Sequence, residues 1–156
     1  MKVRVQRILC PVDFSDSSDH AMRYASALAE TFGAELTLLH VVAPVMAALP
    51  GETSLPDTLQ TDIDEIALAC RERLEQTVGK LAASGLTVQH KVLNGVPFIE
   101  IIRYARDAET DLIVMGTHGR TGLGHLLIGS VAERVVRKSP CPVLTVKHPE
   151  HEFVMP

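Results

Sequence analysis

"DLIVMGTHGRTGLGHLLIGSVAERVVRKSPCPVLTV", residues 111–146, decides the fold. It opens on a short apolar run, 111–116, which ends in glycine and reads as a buried strand. Five of the chain's ten glycines fall between 116 and 129, and a glycine-free, helix-forming run from about Ser130 to Lys138 follows at once. "CPVLTVK" (141–147) is a second apolar strand. Strand, loop, helix and strand in so short a span form a βαβ unit, whose two strands lie parallel. Glycine costs regular structure roughly 0.5–1 kcal/mol per residue relative to alanine, so the cluster needs a reason. Two are open: tight turns, or a backbone that must come close to a ligand.

Working outward, the same alternation fills the rest of the chain. "RILCPV" (7–12) is a buried strand, and "SDSSDHAMRYASALAETFG" (15–33) places Ala21, Ala25, Leu28, Ala29 and Phe32 at helical spacing. Ser15 or Ser17 can cap that helix at its start and Gly33 at its end. "AELTLLHVV" (34–42) is the second strand. A helix over 62–84 puts Ile63, Ile66, Cys70, Leu74 and Leu81 on one face. "LTVQHKVLNG" (86–95) alternates apolar and polar residues, as a strand with one exposed face does. Pro97 opens a helix through Ile99, Ile102 and Ala105. The order βαβαβαβαβ predicts an α/β fold: a single open, parallel, five-stranded sheet with helices on both faces, Rossmann-like. One domain spans 1–148, with a tail over 149–156. Residues 43–61 form the one long loop, a length that in a compact domain is usually functional or disordered.

Composition narrows the function. Hydrophobic residues at 46% and charged residues at 22% are those of a soluble globular domain, and 156 residues suffice for one real core. A net charge of -4 and few aromatics argue against nucleic acid or an anionic membrane as the main partner. Three scattered cysteines without a CxxC suit a reducing compartment. The N-terminus is too short and charged for a secretory signal, and "LTLLHVVAPVMAALPG" is broken by His40, Pro44 and Pro50, so a cytoplasmic protein is expected.

In an open parallel sheet, ligands bind beyond the carboxyl ends of the strands where their order reverses. For the order 3-2-1-4-5 the reversal lies between the first and fourth strands, which end in "CPVDFS" and "MGTHG". Asp13 and the glycine loop then share one crevice. "GSVAE" (129–133) spaces Ser130 and Glu133 as a capping box, leaving a helix N-terminus whose N–H groups suit a phosphate. The plainer reading is that Ser130 only caps and the glycines only turn. Asp13 either accepts a ribose hydroxyl, holds a divalent cation against phosphates, or caps the first helix.

Known motifs sort the possibilities. Gly124-x4-Gly129 begins like a Walker A loop, but Ser130 and Val131 stand where Lys and Ser/Thr belong. No GxGxxG follows the first strand, no GxSxG elbow is present, and His118 and His125 are wrongly spaced for a zinc site. What does match is Gly116-x2-Gly119-x9-Gly129-Ser130, which resembles the nucleotide-binding signature of the universal stress protein family, in its ATP-binding branch. "RILCPVDFSDSSDHAMRYA", "LLHVV" and the whole of 111–146 resemble that family too, so the likeness runs over 5–147 except the 43–61 loop.

The resemblance implies a site residue by residue. Pro11, Val12 and Asp13 line the pocket, the backbone of Val41 holds the adenine edge, and Met115 and Gly116 pass beneath the ribose. His118 and Gly119 reach the phosphates, while Gly129, Ser130 and Val131 close around them. Arg120 either neutralises phosphate or is a solvated loop residue. The ligand implied is ATP or another adenine nucleotide, with Mg²⁺ or Mn²⁺ possible at Asp13. The resemblance implies a homodimer, and the apolar edge strand predicts antiparallel pairing of 142–146 across a two-fold axis. Three functions stay open: a nucleotide-binding regulatory module with little turnover acting on an unknown protein partner, a slow ATPase or phosphotransferase, and a structural dimer with an empty pocket.

Overall fold

The computed structural model describes residues 4–43, 57–117 and 128–147, with backbone alone for 57–60. Five strands, β1 (Arg7–Pro11), β2 (Glu35–Val42), β3 (Val88–Asn94), β4 (Leu112–Gly116) and β5 (Val143–Val146), alternate with four helices. These are α1 (Asp16–Phe32), α2 (Asp57–Ala83), α3 (Pro97–Asp107) and α4 (Ser130–Lys138). All pairings are parallel and the sheet order is β3-β2-β1-β4-β5, as the sequence predicts.

Strand alternation sorts the core into two layers. Ile8, Cys10, Leu36, Leu38 and Val114 face one way, and α1 and α2 cover them with Ala21, Ala25, Ala29 and Leu74. Leu9, Leu39, Ile113 and Met115 face the other way, under Ile101 and Ala105 of α3 and Ala132 and Val135 of α4. The three alanines of α1 keep its sheet face flat, so the helix lies close. Its start comes so near β4 that a Cβ at Gly116 would stand 2.5 Å from Ser17 Oγ and 2.9 Å from the Ser17 carbonyl. Gly116 is therefore required by helix–strand packing, whatever ligand approaches it.

Several local expectations shift. Ser15, not Ser17, caps α1, its hydroxyl accepting from the Ser18 N–H at 3.2 Å, and Gly33 ends it with φ 61°. The helix α2 begins at Asp57, five residues before its expected start at 62, and the 44–56 portion of the expected 43–61 loop lies outside the described residues. Its buried line is Ile63, Ala67 and Leu74, and Ile66 is 49% exposed. At 3.6 residues per turn, position 66 sits about 80° off the middle of that line. Likewise α3 buries Glu100, Ile101 and Ala105 and leaves Ile99 outside, because its packed pair is spaced i, i+4. The expected tail, 149–156, lies outside the described residues.

At the amino end of the sheet, Asp111 Oδ2 accepts the N–H groups of Gln6 and Arg7 at 2.8 and 2.9 Å. Arg7 in turn donates to the Ala108 carbonyl at 2.8 Å and pairs with Glu109 at 3.2 Å. These contacts tie the first strand to the turn before the fourth.

Candidate functional site

The chain leaves β1 towards α1 on one face and leaves β4 towards α4 on the other, so a crevice opens between their carboxyl ends. Its first wall is the corner 11–15. Val12 still belongs to the ladder, donating to the Leu39 carbonyl at 2.8 Å. Asp13, half-buried, accepts at Oδ1 from the Ser15 N–H at 3.0 Å and the Ser15 hydroxyl at 2.5 Å. Asp13 thus orients the residue that caps α1 rather than capping it. Its Oδ2 makes no hydrogen bond among the described residues.

Between them, Phe14 takes φ 63°, the left-handed region that a bulky side chain rarely enters. Such a conformation costs of order 1–3 kcal/mol and persists only where its surroundings hold it. Here the Phe14 ring lies 4.7 Å from that of His40, and the Arg73 guanidinium sits 4.4 Å from its centroid. The buried His40 places Nδ1 2.7 Å from the Val12 carbonyl.

The position of Val41 follows from strand geometry. The Leu39 carbonyl points to β1, and along a strand the residue two further on turns its N–H and C=O to the same side. At Val41 that side is past the end of β1, so its backbone edge opens into the crevice. The next residue, Val42, points the other way and accepts from the Gly95 N–H at 3.0 Å.

The second wall is the end of β4 and the start of α4. Met115 is buried in the α3–α4 layer, and the Thr117 N–H donates to the Val146 carbonyl at 3.1 Å. The Thr117 carbonyl accepts from the Gly129 N–H at 2.6 Å, which draws the two ends of the glycine loop together. Gly129 is the N-cap of α4, and the helix ladder starts with Glu133 N–H to the Gly129 carbonyl at 2.9 Å. Ser130, Val131 and Ala132 therefore precede the first intrahelical bond and carry the helix's positive end.

Two expectations are corrected here. The Gly129 N–H is engaged by Thr117, so donors for an anion come from Ser130, Val131 and the residue after them. No capping box forms either: Ser130 is already the first helical residue, and Glu133 pairs with Arg137 at 3.0 Å, one turn on. His118, Gly119 and Arg120 lie outside the described residues, as does His125.

Three features of this end were missed from sequence: Phe14, His40 and Ser17. Ser17 Oγ is buried with no hydrogen-bond partner among the described residues. A histidine inside the apolar run "LTLLHVV" was a usable signal, since a buried polar group must be bonded. The thiol nearest the corner, Cys10, is fully enclosed, and burial pushes it up to about 12, with the Asp19 charge adding to the shift. It stays protonated and takes no part in chemistry at neutral pH. Among the described residues, no group of three His, Cys, Asp or Glu side chains could hold a metal ion, and no helix is long and apolar enough to cross a membrane.

The crevice therefore combines a carboxylate, an open strand edge and a helix N-terminus, a set suited to hydroxyls, a flat polar ring and an anion. Comparison with known proteins agrees in fold and family. Residues 4–147 match the Universal stress protein family, and the chain belongs to it. It is 37% identical to universal stress protein MJ0531 of Methanocaldococcus jannaschii over 94% of this chain and 85% of that one. The solved structure of protein MJ0577 superposes with a TM-score of 0.82 at 31% identity, covering 94% of this chain and 98% of that one. UspA of Lactobacillus plantarum gives 0.83 at 29% identity, covering 93% and 99%. Two more distant universal stress proteins of the same fold, at 24% and 22% identity with TM-scores of 0.63 and 0.60, were solved with cAMP and with dAMP. They cover 90% and 94% of this chain, and 96% and 100% of their own.

Proposed function

We propose that this universal stress protein binds an adenine nucleotide, ATP foremost, in the β1/β4 crevice and acts as a regulatory module with little turnover. The observation that carries it is the pairing of an open Val41 backbone edge with the N–H groups at the start of α4 that precede its hydrogen-bond ladder. The first suits the edge of an adenine ring and the second its phosphates. Pro11, Val12 and Asp13 line the near wall, and Met115 and Gly116 lie beneath the sugar. Ser130 and Val131 close on the phosphates from Gly129 onward, and the family resemblance adds His118 and Gly119, which lie outside the described residues. That cAMP and dAMP occupy other proteins of this fold supports an adenine ligand. The direct experiment is to denature freshly purified protein and identify any released nucleotide by mass, then titrate ATP, ADP and AMP calorimetrically. A chain that binds none of the three does not fit this reading.

Asp13 Oδ2, which makes no hydrogen bond among the described residues, has a role as acceptor for a ribose hydroxyl or as a ligand to a nucleotide-bound Mg²⁺ or Mn²⁺. Asp13→Ala separates the two: a loss of affinity seen only with metal selects the cation, and an equal loss in its absence selects the hydroxyl.

Slow turnover is expected from the same parts. Phosphoryl transfer needs a positioned nucleophile and strong neutralisation of the transferring group. A cradle of backbone N–H groups binds ground and transition states about equally, so it gives affinity without rate. Steady-state hydrolysis is expected far below the enzyme median of about 10 s⁻¹. A rate near that median, abolished by Gly129→Asp, would make this chain an ATPase instead.

The dimer belongs to the same proposal. The β5 strand is an edge of the sheet and leaves Leu144 39% exposed, with Val136 of α4 46% exposed. Pairing of 142–146 with a second copy would cover that edge. Sedimentation at micromolar concentration tests it, and a clean monomer mass refutes it.

A further inference from the structure

The corner that carries Asp13 is held in a strained shape by groups outside it. Phe14 sits at φ 63°, and nothing in "DFS" itself favours that conformation. The Phe14 side chain is clasped instead by two other elements: His40 of β2 at 4.7 Å between ring centroids, and Arg73 of α2 at 4.4 Å from the ring centroid. His40 is itself fixed to the Val12 carbonyl, the residue before Asp13. On its other side the corner is locked by the bonds from Ser15 to Asp13 Oδ1. Arg73 is exposed and makes no ion pair among the described residues, so the described contact of its guanidinium is the one with Phe14.

We propose that Arg73, Phe14 and His40 form a positioning stack that bends the 12–15 corner so that Asp13 meets a nucleotide in the crevice. The inference rests on the nucleotide reading of that crevice and adds three residues which the family motif does not contain. It also makes α2 part of the binding site without touching the ligand: Arg73 acts on Phe14, and Phe14 acts on Asp13. Removing the ring frees the corner to relax out of the left-handed region, and a ligand must then bend it back. The cost of that bend depends on the residue at 14. Alanine pays it in full, while glycine enters the left-handed region freely.

This ordering separates positioning from packing. Phe14→Ala and Phe14→Gly remove the same ring and the same core contacts, so a merely structural ring would make both variants bind alike. Positioning predicts that Phe14→Gly binds ATP more tightly than Phe14→Ala by about fivefold or more. Arg73→Met keeps the stem on the exposed face of α2 and removes the cation, and is expected to weaken ATP binding about two- to fivefold. Arg73→Lys, which keeps a cation over the ring, restores most of that loss.

Calorimetry on the full-length chain, with thermal melts as the folding control, reads all four variants. Equal affinities for the two Phe14 variants overturn the proposal, as does an Arg73→Met protein that binds like the parent. If either Phe14 variant fails to fold, the Arg73 pair decides alone. A parent that binds no adenine nucleotide removes the nucleotide reading and this proposal together, whereas a binding parent with indifferent variants removes only this one.

Discussion

At the amino end of the sheet, polar groups close on one another: Asp111 takes the N–H groups of Gln6 and Arg7, and Arg7 takes the Ala108 carbonyl and the Glu109 carboxylate. At the carboxyl end they stay open. Among the described residues, Ser17 buries a hydroxyl without a partner, Asp13 has one oxygen without a hydrogen bond, and α4 starts with N–H groups ahead of its ladder. Strain alone does not separate the two ends, since Glu109 has φ 48° at one and Phe14 φ 63° at the other. What separates them is satisfaction: the Glu109 N–H reaches the Arg106 carbonyl at 3.1 Å, and its carboxylate has Arg7. One end stabilises the fold, and the other is where the proposed nucleotide would find its partners.

The largest expected effect breaks the open end without touching the closed one. Gly129 has φ -68° and ψ 155°, a conformation open to any residue, so Gly129→Asp keeps the fold. It sets a carboxylate beside the phosphate site, and like charges brought together cost several kcal/mol. Calorimetric ATP affinity is expected to fall about a hundredfold or more; an unchanged affinity would mean that the cradle lies elsewhere.

Gly116→Ala strikes the packing beneath the crevice. With 2.5 Å to Ser17 Oγ and 2.9 Å to backbone, α1 or β4 must shift. Overpacking of this kind costs about 1–3 kcal/mol. Urea unfolding should show that loss of stability, and a variant as stable as the parent would show that α1 can retreat at no cost.

Asp111→Ala is the matching probe at the closed end. It removes the acceptor of two backbone N–H groups in a partly solvated position, for a loss of about 1–2 kcal/mol. Nucleotide affinity should not move, and a parallel loss of affinity would end the division between the two ends.

The smallest effect has the opposite sign. Ser17→Ala deletes a buried hydroxyl that has no described partner, and such a group costs about 1–3 kcal/mol when left unbonded. The change is expected to be neutral or stabilising by up to about 1 kcal/mol in urea unfolding. A clear destabilisation would reveal a bond made by that hydroxyl.

The same division explains what could be read from the sequence. Element order followed from apolar runs punctuated by Gly33, Gly85, Pro97 and Gly116, because periodicity and turn chemistry are local, and the strand order assumed for that βα alternation is the one found. On α2 the expected face holds for Ile63, Leu74 and Leu81 but not for Ile66, and on α3 Ala105 is buried while Ile99 is outside, since several phases fit a helix of mixed apolar residues. At the site, Asp13, Val41 and Gly129 were flagged from the ends of β1 and β2 and the start of α4, and the parallel sheet order sets those three ends on its carboxyl side. Their bonding was not legible: that Thr117 takes the Gly129 N–H, or that Asp13 serves Ser15, depends on partners chosen in three dimensions. The left-handed Phe14 was the least readable, because its cause lies in His40 and Arg73, distant in sequence.

Cys10 makes β1 a reporter of its own motion. Its thiol stands near 12 against an ordinary 9.0, so its contribution to stability is complete below pH 9 and is lost as pH rises from there towards 12. Near neutral pH a thiol reagent has no route to it in the folded chain, while Cys70 and Cys141 are only half-buried. Labelling should therefore run in two stages, the last sulfur reacting only as fast as the first strand leaves the sheet. That strand ends at the Asp13 corner, so the slow stage clocks how often the binding wall comes apart, and a ligand gripping the corner would slow the clock.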